Sequence, residues 1–325
     1  MGERAVRPGA GGPVTRVAAV DCGTNSVRLL VAEVAGTRLR DLAREMRITR
    51  LGQGVDRTGR FDPAAVQRTL DALAGYADIA RALDVQRLRM VATSATRDAA
   101  NRGAFITGVH DILGVEPEVL SGDEEARLSF TGATHDLGEV AQVDPPYLVV
   151  DIGGGSTEFV LGASTVEAAR SVDIGCVRLT ERYLHADPPT GEQIAGAIRD
   201  IDAGIALAGQ TVPLERAGSL VGLAGSVTTV AAIALGLAAY DPAAIHRSRI
   251  PRAAVHDVTR RLLGMTHAER AALPVMHPGR VDVIGAGALV LDRILHHVGR
   301  AEVVVSEHDI LDGVALGLGD DGARR

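Results

Sequence analysis

One eight-residue segment, DIGGGSTE from Asp151 to Glu158, sets two acids on either side of three glycines and two hydroxyl residues. Successive glycines permit unusual backbone angles and the close approach of a ligand. The N–H groups that can point at one anion belong to Gly153, Gly154, Gly155, Ser156 and Thr157. In a hairpin, the two acids would meet at its mouth and hold Mg²⁺ directly or through water. The alternative is a glycine-rich hairpin that binds nothing.

An earlier segment, DCGTNSVR, repeats this pattern. Its Asp21 and Ser26 each lie 130 residues before the matching residue of the later segment. We expect Asn25 and Ser26 to donate to phosphate oxygens and Asp21 to hold a metal-bound water. Arg28 stands where the later segment has Glu158, so the two segments cannot play identical roles. A plain turn is the alternative.

Two further segments supply a cation and a group of acids. Arg97 follows a predicted strand, at the carboxyl end where open α/β sheets place their ligands. We interpret it as a phosphate clamp, with a surface ion pair as the alternative. Asp123, Glu124 and Glu125 begin a predicted helix, where acids interact favourably with the helix dipole by about 0.3–1 kcal/mol. From their spacing alone, that role is favoured over a general base that orients water.

Two glycine-rich segments in the last third of the chain could also meet an anion. LAGSVTTV predicts a strand, a turn and a helix whose N-terminus presents Gly225 and Ser226 to an anion or a nucleotide sugar. A simple helix start fits it equally well. HPGRVDVIGAGALV predicts a closely packed helix. Arg280 in its first turn opposes the dipole preference, which indicates that this arginine faces an anion.

Composition excludes several kinds of site. All 34 basic residues are arginine, which rules out a Walker-type loop and a catalytic lysine. Cys22 and Cys176 are too few for a disulfide framework or a thiolate metal site, and they fit a reducing cytoplasm. The net charge of −7 argues against broad nucleic-acid binding. We expect no metal site from the histidines: His296 and His297 fit a solvated helix end, and His308 a cap or surface position.

The elements that must position these residues form an α/β pattern that occurs twice. Each half begins with an apolar hairpin and a third strand, at 16–48 and at 147–172, and continues with helices and strands. Predicted helices cover 63–83, 96–113, 123–137, 176–185, 190–208 and 309–318, and a longer helical region spans 252–298. A chain of 325 residues can form two domains, each with its own core.

The domain plan follows from these patterns. Residues 1–13 read as a disordered tail without the apolar region of a signal peptide, and no apolar run is long enough to span a membrane. The Asp144-Pro-Pro sequence marks the boundary between the halves. We therefore predict a first domain at 14–138, a second at 139–307 and a terminal helix within 308–325.

Five motifs, in the order DCGTNS, SATR, SGDEEAR, DIGGGSTE and GSVT, together identify a family. They resemble the exopolyphosphatase and guanosine pentaphosphate phosphohydrolase family, which belongs to the superfamily of actin, sugar kinases and heat-shock chaperones. The resemblance spans about residues 16–318. It implies an α/β fold of two ribonuclease-H-like domains around a cleft, with the last helix packed back on the first domain.

The resemblance also implies roles for individual residues. Glu125 matches the catalytic glutamate of the family, which replaces the helix-dipole interpretation of that residue. Asp151 and Glu158 match acids that hold Mg²⁺ and orient water. Arg97 matches the phosphate-clamping arginine, and Arg280 a second arginine. The implied reaction removes the terminal phosphate of inorganic polyphosphate or of guanosine pentaphosphate.

Longer members carry a C-terminal helical domain that this sequence lacks, so we expect shorter polyphosphates to be the better substrates. We also expect a homodimer without nucleic-acid or membrane partners. Two other functions stay open: an ATP-dependent kinase, which would need an acceptor pocket, and a non-catalytic sensor of polyphosphate or (p)ppGpp. The sequence does not distinguish polyphosphate from guanosine pentaphosphate as substrate.

Overall fold

The computed structural model describes residues 14–36, 38–139 and 142–323 and contains two mixed β-sheets. The first sheet consists of β1 (Thr15–Cys22), β2 (Ser26–Ala35), β3 (Arg38–Ile48), β4 (Arg87–Ala92) and β5 (Glu118–Val119). Its spatial order is β3-β2-β1-β4-β5, with β1, β2 and β3 antiparallel and β1, β4 and β5 parallel. β1 is apolar on both faces because helices cover both sides of the sheet.

The second sheet repeats this arrangement and adds one strand. It consists of β6 (Tyr147–Ile152), β7 (Thr157–Gly162), β8 (Val166–Val172), β9 (Ser219–Leu223), β10 (Arg249–Pro251) and β11 (Glu302–Val305). Its order is β10-β11-β9-β6-β7-β8. β6, β9 and β11 are parallel, and β6, β7 and β8 form an antiparallel meander as β1, β2 and β3 do. The two apolar hairpins predicted from the sequence therefore occupy equivalent places in the two sheets.

Helices follow the strands in both halves. The first half contains α1 (Val55–Thr58), α2 (Pro63–Ala82), α3 (Ser94–Asp98), α4 (Gly103–Leu113) and α5 (Gly122–Thr134). The rest contains α6 (Cys176–Tyr183), α7 (Gly191–Gly209), α8 (Ala224–Ala234), α9 (Pro242–Ile245), α10 (Arg252–Gly264), α11 (His267–Ala271), α12 (Ile284–Val298) and α13 (Ile310–Ala323). Among the described residues, no helix has the length and apolarity needed to cross a membrane.

Two helical predictions need correction. The helix predicted at 96–113 is two helices, α3 and α4, because the Asn101 side chain accepts a hydrogen bond from the Phe61 N–H (2.8 Å) and donates one to its carbonyl (3.1 Å). That contact holds a turn between the two helices. The helix predicted to reach residue 137 ends at Thr134. The helical region predicted at 252–298 contains three α-helices, as expected.

Two helices lie against the sheet of the opposite half. α5 follows a strand of the first sheet, yet its Ala126, Phe130 and Ala133 belong to the apolar cluster of the second sheet. α13 follows a strand of the second sheet, yet its Leu311 and Val314 pack on β1 and β2 of the first. The two helices also touch each other. The residues at the start of each helix are thereby brought to the cleft between the halves.

Candidate active site

The tips of the two hairpins have the same backbone geometry. In the first, the Gly23 N–H donates to the Ser26 carbonyl at 3.0 Å, and in the second, the Gly153 N–H donates to the Ser156 carbonyl at 3.0 Å. The strand register places Asp21 opposite Arg28 and Asp151 opposite Glu158. The predicted asymmetry is therefore present: the mouth of the first hairpin holds an aspartate and an arginine, whereas the mouth of the second holds two carboxylic acids.

The second tip leaves backbone donors free. Within the described part of the chain, the N–H groups of Gly154, Gly155 and Ser156 have no hydrogen-bond acceptor. The two other predicted donors, at either end of this run, are not free in the same way. The Gly153 N–H closes the turn. Thr157 lies in β7, and its hydroxyl donates to the Ile174 carbonyl at 3.0 Å. Three N–H groups in succession form a concave anion-binding surface.

A cavity of about 100 Å³ lies between the two tips. Its walls come from both halves of the chain. The predicted site residues that line it are Asn25, Ser26, Glu125, Asp151, Gly153, Gly154, Ser156, Gly225, Ser226 and Arg280. Four predicted residues lie outside this lining, namely Arg97, Gly155, Thr157 and Glu158. The structure thus brings together residues separated by up to 255 positions in the chain, from Asn25 to Arg280.

The two acids of the second hairpin are buried and held by serine hydroxyls. Ser129 Oγ on α5 donates to Asp151 Oδ2 at 2.7 Å. Glu158 Oε1 accepts from Ser156 Oγ and from Ser171 Oγ, each at 2.7 Å. Burial raises the pKa of Asp151 to about 6, and burial together with the Asp151 charge raises the pKa of Glu158 to about 8. The pair therefore favours a cation that would compensate two buried negative charges.

The three acids at the start of α5 separate into different roles. Glu124 completes a capping box with Ser121, accepting from its N–H at 2.9 Å, and remains exposed. Glu125 is only 8% exposed and lines the cavity. Its pKa lies well above the ordinary range because of burial and the neighbouring Glu158 charge, and Arg97 Nη1, 3.1 Å from Glu125 Oε2, partly offsets both. Glu124 thus accounts for the helix-capping signal, which leaves Glu125 free for chemistry.

The acid of the first hairpin belongs to an ion-pair group that sequence reasoning missed. Arg28 donates to Asp21 Oδ2 at 2.6 Å and also pairs with Asp309, at the start of α13. Both aspartates are nearly inaccessible. Asp21 Oδ1 is buried without a hydrogen-bond partner among the described residues. Nothing in the sequence links residue 28 to residue 309, since only the packing of α13 on the first sheet joins them.

Arg280 reaches the cavity from the second half. It lies in a short 3₁₀ turn, and a Cβ atom on Gly225 would collide with its guanidinium group, so that glycine is required for its position. Arg280 Nη1 donates to Thr229 Oγ1 at 3.1 Å, and among the described residues no carboxylate lies within 4.0 Å of its nitrogens. Arg280 therefore presents an unneutralised positive charge to the cavity.

A second cavity, of about 450 Å³, opens beside the first. The two share Arg28, Met46, Ala224, Gly225 and Arg280 in their walls. Much of the remaining lining is apolar or aromatic, from Tyr240, Pro242, Pro274, Val275, Met276, Pro278 and Leu311. The sequence did not predict this space, because no single motif forms it: its walls combine residues of the DCGTNSVR, LAGSVTTV and HPGRV segments with side chains from other distant segments.

Comparison with known proteins decides the family. A sequence profile of the Ppx/GppA phosphatase family matches residues 30–320. The chain belongs to the Ppx/GppA phosphatase family. It is 52% identical over 318 residues to Exopolyphosphatase 2 of Mycobacterium tuberculosis, a match that covers 94% of this chain and 99% of that protein.

Other relatives of the Ppx/GppA phosphatase family agree. The crystal structure of an exopolyphosphatase-like protein is 42% identical, with a TM-score of 0.92, over 95% of this chain and 99% of that chain. The guanosine-5'-triphosphate,3'-diphosphate pyrophosphatase of Photobacterium profundum is 37% identical over 183 residues, which cover 56% of this chain and 36% of that protein. The predicted family and the predicted α/β fold class are confirmed.

Proposed function

We propose that this protein is an exopolyphosphatase, a hydrolase that removes the terminal phosphate from inorganic polyphosphate. The observation that carries the proposal is the composition of the cleft. Free N–H groups, the unpaired cation of Arg280 and the buried carboxylate of Glu125 face one small cavity. This set suits a phosphate group and a water molecule, and the relative with 52% identity is named an exopolyphosphatase.

The backbone donors and Arg280 would bind the terminal phosphate. The N–H groups of Gly154 and Ser156 accommodate its oxygens, and Arg280 balances part of their charge. These donors are fixed by the hairpin before the substrate arrives, so little reorganisation is needed as charge shifts during phosphoryl transfer. Binding therefore also stabilises the transition state.

Glu125 would act as the general base. A water molecule placed between the Glu125 carboxylate and the phosphorus atom gives a proton to that carboxylate. At the same time, the oxygen of the water bonds to phosphorus. The bond from phosphorus to the bridging oxygen breaks, and the shortened polyphosphate leaves with the electron pair. The raised pKa of Glu125 suits a proton acceptor, and Arg97 holds its carboxylate in one orientation.

Asp151 and Glu158 are the residues that would hold Mg²⁺, as part of the same proposal. Their donor set fits that ion, because carboxylate oxygens are its preferred protein ligands and both acids are buried with few cations near them. The buried Asp21 Oδ1 without a partner is a further acceptor nearby for a metal-bound water. When bound, Mg²⁺ neutralises charge on phosphate oxygens.

A second candidate, guanosine pentaphosphate hydrolysis, is favoured by one specific observation. The cavity of about 450 Å³ beside the phosphate site combines apolar and aromatic side chains with polar and charged ones, a lining that fits a nucleoside. A nucleotide seated there would direct its phosphates past Arg280 towards Glu125. Inorganic polyphosphate would leave these apolar walls without a partner, so the two substrates differ in their use of this cavity.

A substrate panel tests the proposal. Purified protein with Mg²⁺ would receive short polyphosphate, long polyphosphate, guanosine pentaphosphate or ATP, and released phosphate would be measured. We expect release from polyphosphate without any acceptor alcohol. Release that requires an acceptor would indicate a kinase, and tight binding of polyphosphate without Mg²⁺-dependent release would indicate a sensor. Faster turnover of guanosine pentaphosphate would replace polyphosphate with the second candidate.

The preference for shorter polyphosphates, a homodimeric state and a cytoplasmic location remain predictions. The panel addresses the first of them through its two chain lengths. Sedimentation velocity of the purified protein addresses the second. A fluorescent fusion observed in cells addresses the third.

A further inference from the structure

Three histidines surround one aspartate at the junction of the two halves, contrary to the expectation that the histidines do not cluster. His135 and Asp136 follow the end of α5, His246 ends α9, and His308 precedes α13. The His308 ring lies between the other two, with ring centroids 4.8 Å from His135 and 4.4 Å from His246. His308, predicted at a cap or surface position, is instead half-buried in this cluster.

Hydrogen bonds determine which nitrogen of His135 is available. His135 Nδ1 lies 2.7 Å from the Gly132 carbonyl oxygen, which can only accept. Nδ1 therefore carries the proton, and Nε2 of the neutral ring presents a lone pair. A backbone carbonyl that orients a histidine in this way is the usual outer partner of a metal ligand.

His246 has the opposite arrangement and supports the aspartate. Its Nδ1 accepts from the Glu307 N–H at 3.2 Å, so its Nε2 carries the proton and donates to Asp136 Oδ2 at 3.0 Å. Arg247 Nη2 donates to the same oxygen at 2.8 Å. Asp136 is thus held in place by outer partners, while its Oδ1 is buried without a hydrogen-bond partner among the described residues.

His308 supplies a third possible metal ligand, beside His135 and Asp136. His308 Nδ1 lies 3.1 Å from Asp136 Oδ2, yet it is buried and makes no hydrogen bond within the described residues. Two ligands on a tetrahedral zinc ion are about 3.3 Å apart, given bonds of about 2.0–2.1 Å. The ligand atoms of His135, Asp136 and His308 all lie within 4.8 Å of one another. Closing this set around an ion therefore shortens the widest of these separations by at most about 1.5 Å.

We propose that His135, Asp136 and His308 bind one Zn²⁺ ion at the junction of the two halves. Imidazole nitrogens with one carboxylate favour zinc over magnesium, which prefers oxygen ligands alone. The rings are only half-buried, so solvent water can supply the fourth ligand. Bound zinc would link the end of α5 to the start of α13. Glu125 lies in the first turn of α5, and Asp309 directly precedes α13. The site is separate from the phosphate cavity and independent of the proposed hydrolysis.

Calorimetric titration of the full chain tests this site. Metal-stripped protein in excess MgCl₂, which occupies oxygen-ligand sites, would be titrated with Zn²⁺. We expect one Zn²⁺ per chain, and more than about 100-fold weaker binding in His135→Ala and in His308→Gln. His256→Ala is the matched control, since His256 also faces a carboxylate, Asp292 at 3.2 Å, and it should bind as the wild type does.

Two further measurements separate loss of the zinc site from poor folding of a variant. Zn²⁺ should raise the melting temperature of the wild type and of His256→Ala but not of the two cluster variants. In the wild type, Co²⁺ should give the visible absorption of a four-coordinate site, and Zn²⁺ should abolish it. Absence of Zn²⁺ binding by the wild type in MgCl₂, or unchanged affinity in both cluster variants, would overturn the proposal and leave the cluster as an ion-pair group around Asp136.

Discussion

Arg28 compensates two buried negative charges, and its loss has a predictable cost. In Arg28→Met, Asp21 and Asp309 remain buried without their cation. Removing one partner of a buried ion pair costs about 3–5 kcal/mol. We expect a drop of that size in the free energy of unfolding, measured by urea denaturation. Arg81→Met is the control, because Arg81 and Asp78 are both 73% exposed, and it should leave the stability nearly unchanged. An equal, small effect of both variants would contradict the assigned role of Arg28.

The buried acids make the stability of the metal-free protein depend on pH. The pKa of Asp151 is about 6 and that of Glu158 about 8 in the folded protein, whereas both acids titrate near about 4 when unfolded. Between those values the folded state binds more protons, so stability falls as pH rises. We expect metal-stripped protein to melt at a lower temperature at pH 8 than at pH 5.5. Mg²⁺ and, separately, Glu158→Gln should reduce this difference, and a melting temperature that rises with pH would contradict it.

His308 contributes to stability in the same pH range and must be separated from the acids. Burial opposes its charge, but the contact with Asp136 and the nearby charge of Asp312 together outweigh burial and raise the pKa of His308. Its contribution is therefore present at low pH and is lost as pH rises through the folded pKa. The comparison of wild type with Glu158→Gln isolates the acid, since His308 is present in both.

At the scale of elements, two glycines allow α5 and α13 to touch. A Cβ atom on Gly132 would overlap the Asp309 carbonyl, and one on Gly313 would overlap the Leu128 carbonyl. Gly132→Ala should therefore lower the free energy of unfolding by about 1–3 kcal/mol through overpacking. Gly75→Ala in α2 is the control: its Cβ would meet nothing within 4 Å, and it should add about 0.5–1 kcal/mol. Thermal or urea unfolding checks both, and a neutral Gly132→Ala would show that the helices separate easily.

The elements also show what the sequence could predict. The two hairpins and their register were readable, because the continuous apolar runs on either side of DCGTNS and DIGGGS depend only on local residues. The break between α3 and α4 was not, since Asn101 makes it by bonding Phe61, 40 residues away. The capping role of Glu124 and the inward position of Glu125 could not be separated either, because the helix-dipole preference applies to both acids.

The candidate site also divides into residues that local sequence predicted and residues that only packing brings together. Local motifs predicted Asp151 and the free N–H groups of one tip, whereas the family resemblance, and not the local spacing, selected Glu125. Features that depend on packing were missed, namely the position of Asp309, the cavity of about 450 Å³ and the cluster of His135, Asp136 and His308. Each of these depends on α13 or on the loops of the second half meeting residues far away in the chain.

At the scale of the whole molecule, ion pairs join the two halves across the cleft. Arg178 in α6 donates to the Gly155 carbonyl at 2.8 Å and pairs with Asp56 and Asp98 of the first half. Its side chain is only 10% exposed. Such charge-assisted bonds contribute about 1.5–3 kcal/mol each, so Arg178→Met should shift the population towards an open cleft by at least about tenfold.

Small-angle X-ray scattering and limited proteolysis would measure that opening. We expect a larger radius of gyration and faster cleavage between the halves in Arg178→Met. Arg216→Met is the control, because Arg216 pairs with Glu167 at 2.9 Å within the second half. An unchanged radius of gyration in both variants would indicate that other contacts close the cleft.

Phosphate release by Glu125→Gln, with short polyphosphate and Mg²⁺, tests the central claim most directly. The amide cannot accept the proton from water but keeps the shape of the side chain. We expect kcat to fall by about 10²-fold or more with little change in KM. Glu124→Gln, one residue away and exposed, preserves the capping box and should retain wild-type turnover. Near-normal turnover in Glu125→Gln, or an equal loss in Glu124→Gln, would contradict Glu125 as the base.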